Sequence, residues 1–457
     1  LALLIREPII PIAAFADRLL LHPVRTVVLS FAVGSLSGAS MLALPLATAS
    51  GDATPFVDAL FTAVSALCVT GLATLDTGTH WSGFGLGVIL FLIQLGGLGL
   101  MLVATLLGSL LWSRLSIAQQ RRTSAEMSAL HLTGDLRAAV RLIVKVALIA
   151  ELLLASILAL RFWHGHALTP VNALWHGVFH AISAYNNAGF GLRPDSLVAF
   201  ASDPLILVPI ALAIIVGGVG FPVLWDIRQQ RWRRSRWSLH TRVTVAGTAL
   251  LLLLGFIGTI LFEWHGALGS MDIGDRFLNA AFFSVSLRTA GFNSFAMDSL
   301  TNPTLVMASA LMFIGAGVAS TGGGIKVATI MVLALVVRSE LRGDRDVSAF
   351  GRRISGAAQR RATAVVLVGM MLVVAAALGL SLLTALPMRD VAFEAVSAFA
   401  TVGLSTGITA SLPDAGKGIL IMLMFAGRVG PVTLGAALII RYRQQSYRYP
   451  QEDPIIG

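Results

Sequence analysis

Apolar residues along this chain fall into segments of two lengths. Long ones run over residues 26–47, 84–112, 139–160, 204–225, 243–262, 303–337, 363–386 and 418–440. An apolar stretch of about 18 residues or more can cross the hydrocarbon core of a bilayer as a helix. Between the two members of each successive pair lies a shorter segment, at 56–68, 174–186, 276–288 and 389–400. Stretches of about ten to fourteen residues are too short to cross and often re-enter the membrane from one side. The pattern predicts an all-α integral membrane protein with eight transmembrane helices. These form four units of helix, half-helix, loop and helix, at residues 26–112, 139–225, 243–337 and 363–440. A segment 1–25 precedes them and a tail 441–457 follows.

Each short segment runs into the same kind of loop: Val69-Thr70-Gly71, Asn187-Ala188-Gly189, Thr289-Ala290-Gly291 and Thr401-Val402-Gly403. The glycines lie 118, 102 and 112 residues apart, and each is followed by Leu or Phe. A single glycine in a membrane helix ordinarily serves close packing. Four at one register, each after a half-helix, instead predict equivalent loops around one axis with pseudo-four-fold symmetry. Glycine reaches backbone angles closed to other residues, so successive carbonyls can face that axis. Rings of such oxygens replace the hydration shell of potassium. Half-helices entering from outside also direct their negative C-terminal ends toward the membrane centre, which favours a cation there. Units one and four align closely, with Pro55 matching Pro387 and Ser65 matching Ser397. Unit two keeps Phe179 and Ser183, whereas unit three has Val285 in place of the serine.

Charge orients the spans. Arg6, Arg18 and Arg25 precede the first span. Arg114, Arg121, Arg122 and Arg137 lie between units one and two, and Arg228, Arg231, Arg233, Arg234, Arg236 and Arg242 between two and three. Arg338, Arg342, Arg345, Arg352, Arg353, Arg360 and Arg361 lie between three and four, and Arg441, Arg443 and Arg448 follow the last span. The stretches inside units carry mostly acids: Asp52, Asp58, Asp76, Asp195, Asp272, Asp275, Asp298, Asp390, Glu394 and Asp414. The positive-inside rule then puts both termini and the links in the cytoplasm of a multi-pass plasma-membrane protein, with the loops dipping in from outside. An acidic outer mouth also concentrates cations.

Composition narrows the class. The chain is 56% hydrophobic and 12% charged, against about 25% charged in soluble domains. Its net charge of +10 follows the links and forms no patch for nucleic acid. One cysteine, Cys68, excludes an intrachain disulfide framework. No phosphate-binding Gly-x-x-x-x-Gly-Lys-Ser/Thr signature occurs, and no acid/base or metal-ligand cluster of a membrane enzyme, so no catalytic residue is assigned. No arginine-rich span suggests a voltage sensor. The first residues hold no cleavable signal sequence, and the missing Met suggests a trimmed start.

Several single features stand out. The sixth span contains Gly315-Ala316-Gly317-Val318-Ala319-Ser320-Thr321-Gly322-Gly323-Gly324-Ile325-Lys326, poor helix interior in an apolar run of about 35 residues. Irregular backbone at membrane depth is tolerated where it is buried or lines water, so a broken helix is expected here, and only here. The last span carries Gly427-Arg428-Val429-Gly430-Pro431, and an arginine at such depth faces a cavity or a partner. Gly96-Gly97-Leu98-Gly99 and Gly217-Gly218-Val219-Gly220 read as helix packing, and Cys68, His176 and His180 as core. Glu151 is expected to pair locally with Arg141 or Lys145. Arg288, three residues before Gly291, is expected to turn away from the axis toward Asp275 or Glu394.

With these residues in hand, the chain resembles the Trk/Ktr/HKT superfamily of potassium transporters, and most closely the membrane subunit of bacterial Ktr systems. The resemblance covers residues 25–443. It implies that the four loops form a potassium selectivity filter, with K+ held at the carbonyls and no covalent cofactor. It implies that 315–326 is an intramembrane gate and that Arg428 is an electrostatic barrier below the filter. Glycine in all four loops goes with potassium in this family, where a serine at the first position goes with sodium selectivity. The resemblance also implies a homodimer in membrane lipid, each subunit with its own pore. A cytosolic nucleotide-binding regulatory subunit of the RCK type, KtrA-like, would dock on the arginine-bearing links and tail, and sodium is a candidate stimulating ion. The tail after Arg441 is too short for such a domain. A sodium-coupled secondary transporter is the alternative; it calls for broken helices in paired halves. A sodium or calcium channel calls for a ring of acids, which these loops lack.

Overall fold

The computed structural model describes residues 23–113, 136–231 and 233–440. The segment 1–22, Arg114, Arg121, Arg122 and the tail with Arg441, Arg443 and Arg448 lie outside the described residues. Almost all regular structure is helical. In chain order the longer helices are α1 (Pro23–Leu42), α2 (Phe56–Leu67), α3 (Gly83–Ser113), α4 (Leu136–Gly165), α5 (Pro170–Tyr185), α6 (Pro204–Val219), α7 (Phe221–Gln229) and α8 (Leu239–Glu263). They are followed by α9 (Ile273–Ser286), α10 (Asn302–Phe313), α11 (Val327–Arg342), α12 (Gly356–Leu383), α13 (Met388–Ala400) and α14 (Asp414–Ile440).

Helix starts follow local chemistry. Proline occupies the first turn of α5, α6 and α10, where its missing N–H costs nothing. Side-chain oxygens of Thr169, Asp203, Ser238 and Ser355 accept from the free N–H groups of α5, α6, α8 and α12. Asp203 also receives Arg161 Nε at 2.7 Å and His166 Nε2 at 2.9 Å, which ties the end of α4 to the start of α6.

Among the described residues, five helices are long and apolar enough to cross a membrane, within α1, α3, α4, α8 and α12. A sixth is added if α6 and α7 count as one broken span. That break corrects the expectation of a continuous span over 204–225 and of a single broken helix in the chain. The axes of α6 and α7 differ by 91°, and the turn is made at Gly220, with φ +98°. A Cβ on Gly220 would lie 2.4 Å from the Val318 carbonyl oxygen, and Phe221 N donates to Ala319 O at 3.1 Å. Close approach of another segment, not only helix packing, therefore requires this glycine. The run 303–337 divides as expected into α10 and α11, separated by residues 314–326. A short hairpin that the apolar pattern did not predict, β1 (Ser348–Ala349) and β2 (Arg352–Arg353), joins α11 to α12 through Phe350 and Gly351. Both turn residues have positive φ, as tight two-residue hairpins require.

The short helices α2, α5, α9 and α13 lie inside. Each packs on the long helix before it, and each also contacts a helix of the preceding unit: α5 against α3, α9 against α6, and α13 against α10. The cycle closes with α2 against α14, the last helix. At that closure Lys417 Nζ meets Asp58 Oδ1 at 2.7 Å, both side chains largely buried. A second buried carboxylate joins α8 to α10. Glu263, fully buried, accepts from Thr301 N at 2.9 Å, Thr301 Oγ1 at 2.8 Å, Ala267 N at 3.0 Å and also from Thr304 Oγ1. Its charge sits at the positive end of α10. Glu263→Ala is expected to destabilise the protein by roughly 2–4 kcal/mol, because several buried donors lose their acceptor. A lower melting temperature in detergent measures this, and an unchanged one contradicts it.

Candidate functional site

The four glycine loops share one unusual backbone. Val69, Asn187, Thr289 and Thr401 adopt φ of 57°, 58°, 66° and 52°, and Gly71, Gly189, Gly291 and Gly403 adopt 92°, 70°, 75° and 94°. The residues between, Thr70, Ala188, Ala290 and Val402, are not left-handed. Alternating handedness turns successive carbonyls toward the same side instead of opposite sides. Left-handed valine and threonine are strained, and such strain persists where the surroundings impose it.

Those surroundings are hydrogen bonds to the preceding half-helix. Thr70 N donates to Ser65 O at 2.7 Å, Ala188 N to Ser183 O at 2.7 Å and Val402 N to Ser397 O at 2.9 Å. Gly71 N and Gly403 N each donate to the serine hydroxyl, Ser65 and Ser397, at 3.1 Å. The third loop departs where its sequence does. With Val285 in the serine's place, Ala290 N donates to Ser286 O at 3.0 Å, and Ser286 Oγ donates to Phe292 O.

The loops meet one another in order. A Cβ on Gly71 would lie 2.4 Å from Ala188 O, one on Gly189 2.7 Å from Ala290 O, and one on Gly291 2.3 Å from Val402 O. One on Gly403 would lie 2.1 Å from Thr70 O, which closes the cycle. A side chain at any of these glycines would have to displace a carbonyl of the neighbouring loop. Beside Gly71 and Gly403 lies a cavity of about 370 Å³ lined also by Asn293, Asp298, Ser405 and Thr406. Behind the loops, Gly96, Gly217 and Gly427 press on the carbonyls of Leu67, Tyr185 and Phe399, where an added Cβ would come within 1.9, 2.0 and 1.6 Å.

The segment 315–326 lies against the same loops. A Cβ on Gly322 would be 2.1 Å from Thr289 Oγ1, and one on Gly323 2.2 Å from Thr401 Oγ1. Thr321 Oγ1 donates to Tyr185 O at 3.3 Å and Asn187 Oδ1 at 3.2 Å. The backbone N–H groups of Gly317, Thr321 and Gly324 reach Gly218 O, Gly217 O and Gly427 O at 2.8, 3.2 and 3.2 Å. Within the segment, Gly315 N donates to Ile325 O at 2.7 Å, Ser320 Oγ to Gly317 O at 2.7 Å, and Lys326 Nζ to Gly322 O and Gly323 O at 2.7 and 3.2 Å. Ala316 is buried, Val318 half-buried, and Ala319 left-handed at φ 53°. Arg428 is fully buried and joins segment to span: Nη1 donates to Thr321 O and Nη2 to Gly96 O at 2.9 Å.

Two expectations about buried charges are corrected. Arg288 does not pair with Asp275 or Glu394; its Nη2 donates to Leu311 O at 3.2 Å and Gly315 O at 3.0 Å. Asp275 instead accepts from Ser202, and Glu394 from Thr409. Glu151 accepts from Gln94 Nε2 at 3.1 Å and Asn186 Nδ2 at 3.0 Å rather than from Arg141 or Lys145. Both corrections have one cause: these groups face carbonyls and amides at the backs of the loops, which no charge pattern reveals. Cys68 is buried, and His180 stacks on His176 and Phe292, as core residues do.

The sequence profile of TrkH, a cation transport protein, matches residues 22–448. This chain belongs to the TrkH family of cation transport proteins. It is 37% identical over 437 residues to the Ktr system potassium uptake protein B of Bacillus subtilis, covering 95% of this chain and 97% of that protein. It is 35% identical over 444 residues to the potassium/sodium uptake protein NtpJ of Enterococcus hirae, covering 96% and 98%. The crystal structure of the potassium transporter TrkH from Vibrio parahaemolyticus aligns with TM-score 0.69 at 20% identity, over 91% of this chain and 83% of that one. That likeness is one of fold. As a member of the TrkH family, the chain is a multi-pass membrane transport protein with several apolar helices.

In this TrkH-family chain Arg428 both holds backbone and places a charge beside the loops. Arg428→Gln is expected to lose roughly 1.5–3 kcal/mol of stability, because Thr321 O and Gly96 O lose a charged donor, and to alter the maximum rate of cation uptake. Wild-type melting and wild-type uptake kinetics together would remove both roles.

Proposed function

We propose that this chain takes up potassium across the plasma membrane through a filter built from Val69-Thr70-Gly71, Asn187-Ala188-Gly189, Thr289-Ala290-Gly291 and Thr401-Val402-Gly403. The observation that carries the reading is the closed cycle of glycines, each against a carbonyl of the next loop, with handedness alternating alike in all four. Oxygens so arranged can take the place of water around a potassium ion. Relatives named as potassium uptake proteins over nearly the full length support the same substrate. The membrane potential supplies about 2.3 kcal/mol per charge per 100 mV, so inward flux of a monovalent cation needs no nucleotide hydrolysis in this chain.

In this reading four repeats of helix, half-helix, loop and helix give eight spans around a pseudo-four-fold axis. The arginine-bearing links and both termini are cytoplasmic. Residues 315–326 obstruct the path below the filter and move aside to open it, and Arg428 anchors them while opposing unchecked cation passage. The break at Gly220 gives that segment its seat. Relatives named as part of a Ktr system support a separate regulatory subunit, which we take to be a cytosolic nucleotide-binding protein on the basic links, with the membrane chain as a homodimer. A relative named for potassium and sodium uptake keeps sodium as a candidate stimulating ion. A sodium-coupled secondary transporter gives the cycle of four loops no role.

Uptake of potassium, rubidium and sodium in potassium-transport-deficient cells, with the chain alone and with a cytosolic partner, tests the reading. Potassium and rubidium are expected to enter well ahead of sodium. In Gly71→Ser the new side chain meets Ala188 O, and the potassium/sodium ratio is expected to fall roughly tenfold, the equivalent of about 1.4 kcal/mol. Equal uptake of the three ions by the wild type, or an unchanged ratio in Gly71→Ser, contradicts the filter.

A further inference from the structure

Arg288 is the one charged residue inside the four loops, in the position held by Cys68, Asn186 and Ala400 in the others. It is 7% exposed and has no acidic partner among the described residues. Instead Nη2 donates to Leu311 O and Gly315 O, the carbonyls at the point where α10 ends and the irregular segment begins. Carbonyls at a helix C-terminus have no helical partner and carry partial negative charge, so a guanidinium is suited to cap them.

The same residue is held on its backbone side. Asn187 Nδ2, from the second loop, donates to Arg288 O at 3.3 Å, while Asn187 Oδ1 accepts from Thr321 in the middle of the segment. The hydrogen bonds therefore form a circuit: Gly315 to Arg288, Arg288 to Asn187, Asn187 to Thr321. The start and the middle of the segment are thereby tied to the second and third loops. Any displacement of the segment breaks at least one bond to a loop residue in the strained left-handed region or beside it.

Two donors on Arg288, Nε and Nη1, are buried and have no hydrogen-bond partner. A cavity of about 20 Å³ touches Arg288, Gly218, Thr248, Gly315 and Ala316, which is room for about one water. Arginine has five donors in a fixed fork, so the unused ones can engage carbonyls that the segment presents after it shifts.

We propose that Arg288 is a positioning residue that couples the gate to the filter: it caps the broken helix at Leu311 and Gly315 and, through Asn187 and Thr321, makes filter geometry depend on where the segment 315–326 lies. The proposal rests on the reading of these loops as a filter and of the segment as a gate. Ion selectivity is then a property of the two together, highest when the circuit is intact.

The test uses the full-length chain in membrane vesicles, with Val318→Cys as a probe on the half-buried part of the segment and Cys68→Ala to remove the only native thiol. Alanine is the residue that the fourth loop carries at that position. Labelling of Cys-substituted position 318 by a water-soluble maleimide reports the segment, and the potassium/sodium uptake ratio reports the filter. Arg288→Gln is expected to raise the labelling rate roughly tenfold, as loss of a charged hydrogen bond allows, and to lower the uptake ratio. Arg288→Lys, which keeps one charged donor, is expected to restore part of both. A folded Arg288→Gln protein with the parent's labelling rate and ratio, or one in which only one of the two changes, overturns the coupling. Should Arg288→Gln fail to fold, Thr321→Val cuts the circuit at its other arm and leaves Arg288 in place; the same paired change is expected, and its absence overturns the proposal. A parent protein that does not prefer potassium to sodium refutes the filter reading itself, and the coupling with it.

Discussion

Inside a bilayer a peptide carbonyl must find a donor, a water or a cation, because hydrocarbon offers none. Regular helices meet this demand within themselves. Among the described residues this chain departs from them in six buried places, the four glycine loops, the turn at Gly220 and residues 314–326, and gathers all six in one region. The remaining architecture makes that gathering tolerable. Short helices carry the loops inward, long helices enclose them, and glycines on those helices let backbone approach backbone. Where direct partners run out, buried cations supply donors: Arg288, Lys326 and Arg428 all donate to carbonyls and to no carboxylate in the hydrogen bonds described.

The left-handed residues show why the sequence can vary between loops while the geometry does not. Valine, asparagine and threonine all serve two places before the glycine, although only asparagine visits that conformation readily. What is common is a ladder of backbone bonds from the half-helix, reinforced by serine hydroxyls in the first and fourth units. At the glycines themselves anything larger must displace a carbonyl of the neighbouring loop. Side-chain identity is free where only conformation is imposed, and restricted where space is also absent.

Much of this was legible in the chain. Segment length separated long helices from half-helices, and the recurring glycine marked where each loop turns. The glycine-rich stretch of the sixth span announced its own break. Gly220 did not, because Gly217-Gly218-Val219-Gly220 has the same composition as a helix-packing run, and only the approach of Val318 and Ala319 makes its φ positive. Arg288 stands out as anomalous in the sequence, but the sequence offers only acids as visible partners for it. A sequence displays charges and hides carbonyls, so an arginine satisfied by backbone has no visible counterpart. Glu151 was missed likewise: Gln94 and Asn186 are 57 and 35 residues away, and neither carries a charge to match.

The contact between Lys417 and Asp58 joins residues 359 apart in sequence, and it has a bearing on biosynthesis. Asp58 belongs to the earliest half-helix to leave the ribosome, whereas Lys417 emerges only with the final helix. Until α14 is made, Asp58 lacks the ammonium that it meets in the finished fold, so burying its carboxylate would be uncompensated. The contact that closes the cycle of described helices can therefore form only after α14 has been made.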